Sequence, residues 1–341
     1  SSGTLTLTGS NVFATGTNGL LGLLSSIYAG AMSGSGALVK TGNGNLTLTG
    51  PNSYTGGTTV SGGILIGTTS SLQGGIVNNA TVAFDQGANG TYDGAMSGSG
   101  ALLKGGAGNV ILTGANSYTG GTTVFQGTLT GTTSSLQGNI VNNATVAFDQ
   151  TANGTYTGAM SGTGSLVKTG AGALMLTGTN SYSGTTTVNA GTLVGNTTSL
   201  QGNILNNAAV VFDQASNGVY AGALSGSGTL TKIGAGLLNL TGTNVVGGGT
   251  TVSGGTLAVN GSLTSNVTVG AGGAIGGTGT VVGALSIGGG TLAPGNSIGT
   301  LNVTGNFTQT GGVYQVEANA GGQSDKIVAT GTATINGGTV Q

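Results

Sequence analysis

Short runs along the chain place an apolar residue at every second position. Asn45-Leu46-Thr47-Leu48, Thr58-Thr59-Val60, Ile64-Leu65-Ile66 and Thr81-Val82-Ala83-Phe84-Asp85 alternate in this way, with Gly, Asn and Ser clusters between them. Period two is the signature of a strand with one buried face, and the clusters are turn chemistry. No window shows an apolar face at helical spacing. The pattern predicts an all-β chain in which Leu46, Leu48, Val60, Leu65, Ile76, Val82, Phe84 and their copies point inward.

These runs recur. Lys40, Lys104, Lys168 and Lys232 are 64 residues apart, as are Tyr28, Tyr92, Tyr156 and Tyr220, and Asp85, Asp149 and Asp213. Tyr54, Tyr118 and Tyr182 keep the same interval, with Val246 in the fourth copy. A fixed period of this kind marks stacked structural units. Sixty-four residues are too many for one coil, and glycine-bounded strands divide the unit at Gly36, Gly57 and Gly75 into three. The expected architecture is a right-handed parallel β-helix of about 21 residues per turn, with a three-turn repeat. Near the N-terminus Gly9-Ser10-Asn11 matches Gly50-Pro51-Asn52 at an offset of 41, so about one coil is missing there; a stack of coils tolerates such a loss. On this scheme Val60, Val124, Val188 and Val252 line up along the axis, as do Leu48, Leu112, Leu176 and Leu240.

Composition narrows the function. Of 341 residues 76 are Gly, only 2 are Pro and 3% are charged, which excludes collagen and argues against a plain linker. A net charge of −1 leaves no electrostatic footprint for nucleic acid. Each Lys reads as a solvated corner and each Asp as a turn or strand-end residue, since isolated charges normally stay in water.

Chemistry is sparse. The chain has no His, Cys or Arg, so a base-assisted triad and a zinc site are missing, as are the arginine and the calcium-binding acidic cluster of a β-helix lyase. The Asp residues of successive repeats are too far apart for a two-carboxylate mechanism. The two close pairs, Asp85 with Asp93 and Glu317 with Asp325, read as solvated loop residues. Gly270–Gly279 is glycine-rich but precedes no helix, so it is not a phosphate loop. No catalytic, cofactor-binding or metal-ligating residue is expected.

The segment GALVKTGNGNLTLTGPNSYTGGTTVSGGILIG, with copies from Gly100, Gly164 and Gly228, resembles the passenger-associated transport repeat of autotransporters. Thr291 to Val340, including Pro-Gly-Asn-Ser-Ile-Gly-Thr-Leu at 294–301, resembles the end of such passengers. The resemblance implies Gram-negative origin, export through an outer-membrane translocator barrel, and display at the cell surface or release from it. It implies a non-catalytic scaffold that adheres to host surfaces or extracellular matrix, or to copies of itself. The alternative is a stalk whose activity, such as a subtilisin-like protease, belongs to a domain upstream. The 64-residue register lapses after Leu257, which divides the chain into a repeat-built shaft, 1–258, and a C-terminal segment, 259–341. The latter resembles the region that starts passenger folding.

Overall fold

The computed structural model describes residues 5–8 and 25–341; the Gly9-Ser10-Asn11 match lies outside them. Strands of two to five residues follow one another along most of the chain and pair in parallel with the strand one coil away. Coils turn through two or three such strands, and strands of successive coils stack into parallel sheets on three faces. This is a parallel β-helix. Two compact units divide it, residues 1–149 with 157–166 and residues 150–156 with 167–341.

In the first unit, one face stacks Leu38, Thr58, Ile76 and Met96. The next stacks Leu46, Leu65, Val82, Leu102, Thr122, Ile140 and Met160. The third stacks Val110, Leu129 and Val146. All point inward and are buried, with Thr58 and Thr122 the only hydroxyls among them. The seven residues that alternation marked as inward are likewise buried.

The register corrects the turn length and the division of the repeat. Leu38, Thr58, Ile76 and Met96 are 20, 18 and 20 residues apart, so coils are shorter than the expected 21. Three turns from Leu38 therefore end at Met96, six residues short of its copy, Leu102. Those six residues carry the chain round one more corner, and Leu102 stacks on Val82 in the second face. The repeat thus spans three turns and one further face. The second unit behaves alike: Val188 lies in the strand that pairs with Ile204–Asn206, whereas Val252 pairs along Lys232 and Val269 in another sheet. All four valines and all four leucines of the Leu48 series point inward, but successive copies do not share a line.

Towards the C-terminus the coils lengthen. In the second unit, Leu230, Thr250, Val267 and Leu285 are 20, 17 and 18 residues apart, but Phe307 follows after 22 and Ala333 after 26. The longest coil carries an antiparallel excursion closed by Ala318 and Ser324.

Most inward side chains are aliphatic, joined by rings such as Phe84, whose centroid lies 5.2 Å from that of Tyr92. Phe84 is fully buried. Replacing it by Ala is expected to cost about 3–5 kcal/mol, the penalty for emptying a core aromatic site. Coils touch only their neighbours, so hydrogen exchange should accelerate over a few turns around residue 84 and remain native at Leu285–Pro294. Uniform loss of protection would contradict the nearest-neighbour picture.

Candidate functional site

The outer faces carry the residues that a partner can meet. On the second face of the first unit Thr47, Ile66, Ala83, Leu103, Thr123 and Val141 stand side by side, one per coil. Val141 is 41% exposed, and Phe125 beside this row is 54% exposed. In the second unit Met175, Val194 and Val211 form the same kind of row, continued by Thr231, Thr251, Thr268, Ser286 and Thr308. Each face is thus a flat strip of aliphatic and hydroxyl side chains with rungs about 4.8 Å apart. Because the repeat advances by one face, equivalent residues turn with it: Val77 lies on the first face of its unit and Val141 on the second.

Charge hardly reaches these strips. Asp85, Asp149 and Asp213 end their strands and are exposed, as expected. The lysines are a correction. Lys40, Lys104, Lys168 and Lys232 are completely buried, where solvated corners were expected. The Lys40 ammonium donates to the carbonyls of Thr41, Gly42 and Gly62, each at 2.8 Å. Lys104 uses Gly105, Gly106 and Gln126 at 2.7–3.0 Å, and Lys232 uses Ile233, Gly234 and Gly254 at 2.8–2.9 Å. Lys168 donates to Thr169, Gly170 and Ala190. An ammonium has three N–H bonds, and three carbonyls occupy them all. Positive φ at Gly42, Gly106, Gly170 and Gly234, between 71° and 78°, turns the chain around the ammonium. The signal that could have revealed the cage is that glycine, fixed two residues after each of these four lysines.

Other inward polar groups are also partnered. The Tyr54, Tyr118 and Tyr182 hydroxyls meet Thr58, Thr122 and Thr186 at 2.6–2.7 Å. Where Val246 replaces the tyrosine, Thr250 bonds Ser265 instead, at 2.9 Å. Asn78 donates to Ala101 O in the next coil, at 2.8 Å. Asp325 is buried rather than solvated: its oxygens accept from Gly299 N at 2.8 Å and Glu317 N at 2.9 Å. It ties the Pro294–Gly299 loop to the excursion, while Asp85, Asp93 and Glu317 are exposed. Among the described residues no group of three His, Cys, Asp or Glu is placed to hold a metal ion.

Burial sets the alkaline behaviour. It raises the phenols of Tyr54, Tyr92, Tyr118, Tyr182 and Tyr220 above 10.0, that of Tyr182 to about 12, partly opposed there by the Thr186 hydrogen bond. It lowers the ammonium groups of Lys40, Lys104 and Lys232, with Asp85 and Asp213 partly opposing at the last two. A phenol raised in the fold ionises first in the unfolded chain, so its contribution is complete below pH 10 and fades above it. A lowered lysine acts in the opposite sense, since the fold releases that proton first and gains stability up to 10.5. Above 10.5 the lysines add nothing further, and the phenols set the slope. The unfolding midpoint should fall from pH 10 towards 12, and Tyr182→Phe should flatten that slope. A midpoint climbing through this range would show the lysines dominating.

Comparison with known proteins agrees with this geometry. The family model described as Passenger-associated-transport-repeat matches residues 38–66, 102–138, 166–194 and 230–259. Each match contains one caged lysine and the strands of the following coil. Over 193 residues, 48% of this chain, it is 38% identical to the Adhesin BmaC autotransporter of Brucella suis biovar 1 (strain 1330). It spans 6% of that relative's length. A stack of parallel coils, four matched repeats and this likeness place the chain at the cell surface or in secreted form. The four matches and this likeness support an autotransporter passenger with passenger-associated transport repeats.

Proposed function

We propose that the chain is a non-catalytic adhesive scaffold, binding a host surface, extracellular matrix or copies of itself through weak contacts repeated along its faces. The observation that carries this reading is the uncharged strip of aliphatic and hydroxyl residues, reissued on a new face with each repeat. Any one strip is narrow, so single contacts are weak. Repetition raises the effective concentration of the next contact once the first has formed. Surface rows of Thr, Ser, Ile, Leu and Val suit flat, uncharged partners better than polyanions. The name of the Brucella relative, an adhesin, supports the same reading.

The test is display of the chain on a non-adherent bacterium. Wild-type cells are expected to adhere or clump, and a variant with Ile66→Asp, Leu103→Asp and Val141→Asp to lose at least about tenfold, as charged groups on the strip oppose desolvation. Circular dichroism and surface abundance must match between the two. Adhesion that survives the triple substitution would remove the strip from the function. Wild-type cells that neither adhere nor clump would favour an inert stalk with its activity elsewhere.

The C-terminal segment, 259–341, is proposed as a separate folding unit. Its lengthened coils and the carboxylate tie of Asp325 set it apart from the repeats. A chain ending at Leu257 should refold more slowly than the full chain. Equal refolding rates would make this segment merely the last turns of the stack.

A further inference from the structure

The caged lysines pose a problem that adhesion does not use. Interior residues of successive coils are nearly interchangeable: Leu46, Leu65, Val82, Leu102, Thr122 and Ile140 occupy one row. Aliphatic packing of this kind barely distinguishes the correct stacking from one slipped by a coil, and weakly specified registers slip. Something else must choose.

The corners differ where the strands do not. Lys40, Val60 and Asn78 stack in one inward row, and the chain then runs to Leu46, Leu65 and Val82 in the next face. Counted as the step from one inward residue to the next, the corners are six, five and four residues. Lysine occupies the widest. Its ammonium takes two carbonyls from that corner and the third from Gly62, which lies between strands in the five-residue corner of the following coil. The four-residue corner is already committed: Asn78 Oδ1 accepts from Ala80 N at 3.2 Å, and Ala80 O accepts from Ala101 N at 2.9 Å. The arrangement repeats with Lys104, Val124 and Asn142 in register, Gln126 supplying the third carbonyl.

We infer that each caged lysine is the register key of its repeat: it accepts as neighbour only a five-residue corner that offers a spare carbonyl, and opposes every slipped stacking. The acceptors are backbone atoms, so the key works whether the contributing residue is Gly62, Gln126, Ala190 or Gly254. In a stack slipped by one coil the ammonium of Lys40, Lys104 or Lys168 meets an asparagine corner whose carbonyl is taken by Ala101, Ser165 or Thr229 N, and a buried charge with an unmet donor is costly. In the correct stack the net gain is small, because desolvation offsets the three hydrogen bonds. The key therefore acts on specificity rather than on stability.

That separation is the test. The full chain with Lys40, Lys104, Lys168 and Lys232 all changed to Met keeps the side-chain length and loses the charge. Its unfolding midpoint in denaturant should equal or exceed that of wild type. Its yield of single-species monomer on refolding should fall at least about threefold, with hydrogen exchange at the corners splitting into two populations, as expected when a buried polar specifier is removed. The exchange variant Lys104→Val with Val124→Lys moves one key into the narrower corner and should lower both yield and midpoint. Two results overturn the inference. If the fourfold variant refolds to one species at wild-type yield, the lysines only fill space. If its midpoint falls in step with the yield, or it fails to fold at all, they are ordinary stabilising contacts.

Discussion

The structure depends on what the peptide groups at the corners can bond to. Along the strands the ladder between coils satisfies N–H and C=O groups automatically. At each corner the chain leaves the ladder, and carbonyls such as those of Gly42 and Gly62 turn toward the interior, away from water. A buried carbonyl needs a donor. Lysine supplies three N–H bonds at once, asparagine supplies an amide in the Asn78 series, and the Tyr92 and Tyr220 hydroxyls donate to the carbonyls of Gly74 and Gly202. The polar interior of an otherwise aliphatic stack is thus concentrated at its edges.

Corner length then governs the rest. Corners of four, five and six residues make coils of 17 to 20, and their sum over a repeat is not a whole number of turns. The rotation of each repeat by one face follows from that mismatch alone. So does the distribution of surface residues, since no face collects every copy of any one side chain. A partner approaching from any side of either unit meets the same chemistry in a different order.

Much of this was legible in the residues. Alternation located the inward positions, and the seven named from sequence are buried; Asp85, Asp149 and Asp213 end strands and face solvent. The turn length was not legible, because glycine clusters mark corners without showing how many residues each consumes. A difference of one residue per corner moves Leu102 from one sheet to the next. The lysines were misread for a related reason. Charge argues for exposure on average, and only the fixed glycine two residues later hints at a nest of carbonyls. Asp325 was misread likewise, since its partners, Gly299 N and Glu317 N, come from chain positions that no periodicity connects. The surface strips could be listed from sequence but not aligned, since their rows depend on the same unknown corner lengths.

The burial of the lysines has one more effect. The chain contains no arginine and five lysines, and four of those are fully enclosed. A protease that requires a basic side chain in its specificity pocket therefore finds a single exposed one in the folded protein, Lys326, held in the strand Lys326–Ala329. Enzymes of tryptic specificity, abundant in animal secretions, meet more than three hundred residues in front of that point with nothing accessible to grip. The carbonyl cages thus also hide the lysines from enzymes of tryptic specificity.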